Sequence, residues 1–319
     1  MAPNLIKTLA EASFLNGFNV QQIFTLDDKT LKAKIPINHI RAKLESILSP
    51  LSIHLEQDIP AFHSINKPHE TVKNIIAIAS GKGGVGKSTV TYFLARALQK
   101  NGARVGILDA DIYGPSLPKL FSIKQKPKNK DGKLIPIVKY NIQCMSMGFL
   151  TEEHTPMIWR GPMVTSAIKT FTQKVEWKDL DFIIVDMPPG TGDTQLTFAQ
   201  EINMDGVIIV STPQELALQD VKRGIAMFDK LNVKIVGLVD NMSFFYSDEG
   251  KKYFIFGNGG VKKTSDEFNK DFLGEIPINS EVGKFGDLGK PIVESAPEHE
   301  ISKIYNHLAK LVKSIYLGD

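Results

Sequence analysis

GKGGVGKST, running from Gly81 to Thr89, is a glycine spacing closed by Lys-Ser that suits a polyphosphate. Gly81, Gly83, Gly84 and Gly86 let the backbone N–H groups of the loop, Val85 included, converge on β- and γ-phosphate oxygens. Lys87 supplies a point charge to the same oxygens, and Ser88, with Thr89 beside it, places a hydroxyl where Mg²⁺ would sit. These residues predict binding of ATP with Mg²⁺. Lys82 is a second lysine that such a loop does not need. It is either a solvated loop charge or a group reaching the phosphates of a facing subunit, as arginine fingers do in other NTPases.

Four further stretches carry candidate chemistry. In DADIYGPS, Asp111 is expected to orient the attacking water with Asp109 as its support; the alternative is a pair of turn caps. Asp186 closes the apolar run FIIVD, so it is a candidate to hold Mg²⁺ through a water. The MPPGTGD that follows, Met187 to Asp193, then offers the Gly190 amide to the γ-phosphate. Asn241 has a side-chain amide able to pair with an adenine edge, or to cap a turn. Pro277 either packs on the base or belongs to the core.

The elements that must position these groups are legible as apolar runs at 75–80, 105–110, 182–187, 206–212 and 234–240, separated by helical patterns such as 87–101. Runs of this kind are strands buried on both faces, and helices between them imply crossovers on a parallel sheet. The predicted fold is α/β, doubly wound, with ligands at the carboxyl ends of the strands. Residues 1–60 read as a small α+β module, 61–72 as a linker and 73–319 as the nucleotide-binding domain. Within the module, Ile6, Leu9 and Ala10 predict a helix, LKAKIPI at 31–37 a strand, and Ile40 to Leu48 a second helix. FSIKQKPKNKDGK, 121–133, reads as a basic surface loop.

Composition removes other classes. The 319 residues are 42% hydrophobic and 23% charged, which is globular. A net charge of +3 is too close to balance to make nucleic acid the default partner, although a local basic patch remains open. Cys144 is the single cysteine, so one chain forms no disulfide, and a reducing, cytoplasmic compartment is expected. No apolar run reaches the length of a membrane span, and no signal peptide is read at the N-terminus.

GKGGVGKS with Lys82, DADIYGPS, MSMGFL (145–150), WRGPM (159–163), DMPPGTGD, STPQE (211–215), NMS (241–243) and IFGNGG (255–260) together resemble the Mrp/ApbC family. These are deviant Walker A ATPases regarded as iron-sulfur cluster carriers, related to the MinD/ParA group. The resemblance spans about residues 70–316. It implies ATP hydrolysis, a homodimer, apoprotein clients and iron-sulfur assembly partners. The family usually carries a C-x-x-C pair between NMS and IFGNGG that would bridge a cluster. This chain has FFYSDEGKKYF there, with no cysteine, so no iron-sulfur ligand can be assigned to any position. Cys144 lies elsewhere and reads as a buried small hydrophobe. The alternatives are a MinD/ParA-like positioning or membrane-associated switch without a cluster, and an ATPase serving another metal centre. For the C-terminal helix EISKIYNHLAKLVKSIY, packing on the sheet is expected over a membrane surface.

Overall fold

Val72–Ala79 is apolar throughout after Asn74, and a strand of that kind has to be covered on both faces. It is β4 of a computed structural model that describes Leu5, Leu9 and residues 24–27, 30–33, 41–51, 53–57, 71–112, 114–149, 166–168, 170–171 and 174–318. The chain divides into two units, residues 1–65 with 313–319, and residues 66–312.

In the first unit β1 (Phe24–Asp27) pairs antiparallel with β2 (Thr30–Ala33), and β2 pairs parallel with β3 (His54–Gln57). Helix α1 (Arg41–Leu48) lies between β2 and β3 in sequence, with Leu44 and Leu48 buried. Leu9 is helical as expected; Ile6, Ala10 and residues 34–37 of the expected strand lie outside the described residues, as do most of 61–72 and all of WRGPM.

The second unit is built on a nine-stranded sheet, ordered β13-β12-β11-β4-β10-β5-β9-β8 with β14 also on β12. Its parallel members are β4, β5 (Val105–Asp109), β9 (Ile142–Ser146), β10 (Leu180–Asp186), β11 (Gly206–Ser211), β12 (Ile235–Tyr246) and β14 (Phe272–Ile278). Two antiparallel strands, β8 (Ile137–Lys139) and β13 (Lys252–Tyr253), finish it. Helix α2 (Lys87–Lys100) follows β4, and its Phe93 ring meets Tyr305 of the last helix edge-on at 5.4 Å. The other helices are α3 (Leu117–Leu120), α4 (Asp193–Glu201), α5 (Glu215–Lys230), α6 (Gly260–Glu267), α7 (Ser280–Asp287), α8 (Ile292–Ser295) and α9 (Glu300–Leu317). In α9, Ile301, Tyr305, Leu308 and Val312 are buried, so its apolar stripe is spent on packing. Among the described residues no helix is long and apolar enough to cross a membrane.

Two expectations need correction. The basic segment 121–133 is not a loop throughout: β6 (Lys128–Lys130) pairs antiparallel with β7 (Lys133–Ile135). Asp131 and Gly132, with φ 51° and 78°, make the Asp-Gly turn whose twist matches such a hairpin. The strand expected to end at Asp240 continues to Tyr246, because β13 and β14 give its second half partners.

Candidate functional site

The loop between β4 and α2 is shaped by close backbone approach. A Cβ on Gly81 would lie 2.6 Å from the Asp220 carbonyl carbon of α5. Gly86, at φ 81°, precedes α2, and a Cβ there would lie 2.3 Å from Asn241 Nδ2. That Asn241 amide donates to the Val85 carbonyl at 2.8 Å. Among the described residues nothing accepts from the N–H groups of Gly83, Gly84 and Val85. They are unspent donors at the positive end of a fourteen-residue helix, which is the chemistry of an anion cradle. Ser88 and Thr89, in the first turn of α2, are half-buried. The donor set therefore fits a polyphosphate, and Ser88 with Asp186 fits Mg²⁺.

Lys87 is buried and donates to Asp186 Oδ1 at 2.6 Å. Thr91, one turn along α2, places Oγ1 3.1 Å from the same oxygen, and the Tyr92 hydroxyl donates to Asp186 Oδ2 at 3.1 Å. Burial, then the carboxylates of Asp109 and Asp186, push the Tyr92 hydroxyl well above its usual range, so it remains a donor.

Asp186 is in register with Asp109 across β10 and β5, and Asp109 with Ser146 across β5 and β9. Parallel register puts these side chains in one row, and the Ser146 hydroxyl donates to Asp109 Oδ2 at 2.9 Å. The same oxygen accepts the N–H groups of Ser116 and Leu117 at the start of α3, 2.9 Å each. Burial, then the Asp186 charge, raise the Asp109 carboxyl to about 7. Asp111 is buried, accepts from Gly114 N–H at 3.2 Å, and donates its own N–H to Asp109 Oδ1 at 3.3 Å. The two aspartates expected to manage a water thus also hold the DADIYGPS turn.

Lys82 donates to Gln214 Oε1 at 3.1 Å, within its own chain. The Gly190 N–H is turned to the Ser80 carbonyl at 3.0 Å. Pro277 is buried on β14, where Ile276 is in register with Asn241, so the two adenine candidates lie on neighbouring strands. Cys144 is fully buried in β9, with its thiol pushed up to about 12 by that burial. Among the described residues no group of three or more His, Cys, Asp and Glu could hold a metal ion.

Thr91, Tyr92, Ser146 and Gln214 were not read from sequence as site residues. Thr91 had a usable signal in its four-residue spacing from Lys87, which puts both on one helix face. Gln214 had one in its place just beyond an apolar strand. Nothing in the linear order points to Ser146, which arrives through sheet register.

Residues 71–313 match the family described as NUBPL iron-transfer P-loop NTPase, within ParA. The chain is 50% identical over 244 residues to the iron-sulfur protein required for NADH dehydrogenase of Arabidopsis thaliana, covering 76% of this chain and 78% of that one. It is 47% identical over 250 residues to the iron-sulfur cluster transfer protein NUBPL of Mus musculus (77% and 78%). With the iron-sulfur cluster carrier protein of Aquifex aeolicus it shares 46% over 248 residues (76% and 68%). Among solved structures, a nucleotide-binding protein of Archaeoglobus fulgidus in complex with ADP superposes with TM-score 0.64 at 37% identity, covering 74% of this chain and 93% of that one. The Pyrococcus furiosus cell division ATPase MinD, at 22% identity and TM-score 0.57 over 76% and 98% of the two chains, shares the fold. By sequence and by architecture, this chain belongs to the NUBPL iron-transfer P-loop NTPases.

Proposed function

We propose that this chain binds ATP with Mg²⁺, hydrolyses it as a homodimer, and serves the transfer of iron-sulfur clusters to apoproteins. The carrying observation is the unspent N–H cradle of Gly83 to Val85 beside Lys87 and Asp186. Mg²⁺ when bound would neutralise charge developing on the phosphates. Ser88 would ligate it directly and Asp186 through a water. To meet the phosphates, Lys87 gives up Asp186 Oδ1, which frees that oxygen for the metal's water. Asp111 orients the water that attacks the γ-phosphorus as the bond to the bridging oxygen breaks, releasing ADP and phosphate. Gly190 leaves the Ser80 carbonyl to meet the γ-phosphate, and Asn241 and Pro277 bracket the base. Lys82 leaves Gln214 and crosses to the facing subunit.

The cluster is cargo, and the names of the relatives support that reading. The residues present do not supply its usual ligands: the one thiol is sealed in β9, and the hairpin from Phe244 to Phe254 is aromatic and carries no cysteine. Ligation by thiolates of the client or the donor accords with this chain. A single cysteine also accords with a reducing, cytoplasmic compartment.

Anaerobic incubation with iron and sulfide, followed by absorbance and iron counting, tests the cargo reading. The expected result is no stable cluster on the chain alone, with ATP-stimulated transfer once a thiolate-bearing apoprotein is added. ATP turnover with no effect on transfer to any such apoprotein would instead fit a nucleotide switch without cargo.

A further inference from the structure

Residues 124–139 hold six lysines against one aspartate, a net of +5 in a chain whose total is +3. The remainder of the chain is therefore net negative, and its basic character comes from this one stretch. Lys124, Lys126, Lys128, Lys130 and Lys133 are exposed, and none forms an ion pair among the described residues. Lys130 and Lys133 stand directly opposite one another across the β6–β7 pair. Like charges at that spacing oppose folding of the hairpin, and an anion lying across them removes the cost.

The adjoining strand β8 ends the nine-stranded sheet. Its inner side pairs with β9 through Val138 and Gln143, and its outer side has no strand against it among the described residues. Val138 on this edge is 65% exposed. An unpaired edge is a template for an added strand, which uses main-chain hydrogen bonds for affinity and alternate side chains for selection. A nucleic acid or a lipid surface could use the lysines but not the strand edge. The stretch also has no arginine for bidentate phosphate contacts, and its aromatic residue nearest in sequence, Tyr140, is engaged edge-on by Phe121 rather than free to stack a base.

We propose that β8 and the β6–β7 hairpin form a docking surface for an extended acidic polypeptide segment of a partner protein, added as a strand along β8 with its carboxylates toward Lys126 to Lys133. None of its residues belongs to the phosphate loop or to the set Asp109, Asp111 and Asp186, and its test reads no ATP chemistry.

A fluorescein-labelled decapeptide of alternating Glu and Val, titrated with the full chain and followed by anisotropy, is the probe. Binding should weaken by about tenfold or more when salt rises enough to shorten the screening length below the lysine spacing. It should weaken similarly in Lys126→Gln/Lys128→Gln/Lys130→Gln/Lys133→Gln, with circular dichroism unchanged; the single Lys128→Gln should fall between. Hydrogen exchange of the bound state should show new protection at residues 137–139. The proposal is overturned if the quadruple variant binds the peptide as wild type does, or if residues 137–139 gain no protection. Tighter binding of an oligothymidylate or of phosphatidylserine vesicles than of the peptide would also overturn it, in favour of that partner.

Discussion

Lys87 Nζ lies 2.6 Å from Asp186 Oδ1, with side-chain exposures of 6% and 0%. The pair is a resting contact, in which the lysine proposed to meet phosphate neutralises the carboxylate proposed to meet the metal's water. Lys87→Met should abolish ATP binding in a calorimetric titration. It should also destabilise the fold by about 3 kcal/mol, since a buried carboxylate loses its cation. Adding Asp186→Asn should recover most of that stability and none of the binding. A single variant with normal turnover would show that the loop is not the phosphate site.

The Lys82 to Gln214 hydrogen bond, 3.1 Å within one chain, separates two roles for the second lysine. Lys82→Ala should leave nucleotide affinity of the monomer largely intact and abolish hydrolysis, measured as phosphate release. Gln214→Ala removes only the cis partner, so hydrolysis should persist. Equal loss in both variants would make the cis contact the working one.

Gly81 and Gly86 are held for different reasons, and their alanine variants should fail differently. In Gly81→Ala the new carbon meets the backbone of α5, which cannot move aside cheaply, and a loss of about 2 kcal/mol in chemical denaturation is expected. In Gly86→Ala the positive φ is strained and the carbon displaces the Asn241 amide from Val85. Nucleotide affinity should fall there more than stability does.

Asp240 is fully buried and, among the described residues, neither of its oxygens has a hydrogen-bond partner; burial, then the neighbouring Glu275 on β14, raise its carboxyl to about 7. A folded-state value above the unfolded one means the proton is bound more tightly when folded. Stability from this group is present below about pH 4 and is lost as pH rises through about 7. Asp240→Asn should therefore raise the melting temperature clearly more at pH 8 than at pH 5, and change it little near pH 3. Equal shifts at pH 8 and pH 5 would place the proton elsewhere.

The strands and the phosphate loop were legible because each is a local pattern: β4, β5, β10 and β11 are apolar runs, and Gly81 to Thr89 is a contiguous spacing. What escaped is what only three dimensions bring together. Ser146 reaches Asp109 through the register of β5 and β9, although 37 residues separate them in chain order. Gln214 reaches Lys82 because β11 neighbours β4. The length of β12 depended on β13 and β14, which are themselves short or interrupted by glycine and proline. The Asp131-Gly132 turn was readable in principle, but the lysine density around it obscured two three-residue strands.

The burial of Cys144 also makes the molecule its own gauge of opening. It lies in register with Ile107 of β5 on one side and Ile137 of β8 on the other, so a thiol reagent reaches it only when the sheet parts at that place. With one cysteine in the sequence, the rate of colour release from a disulfide dye reports that event alone, without mutation or label. By the same token, oxidants that disable proteins through surface thiols have nothing to attack on this chain while it is folded.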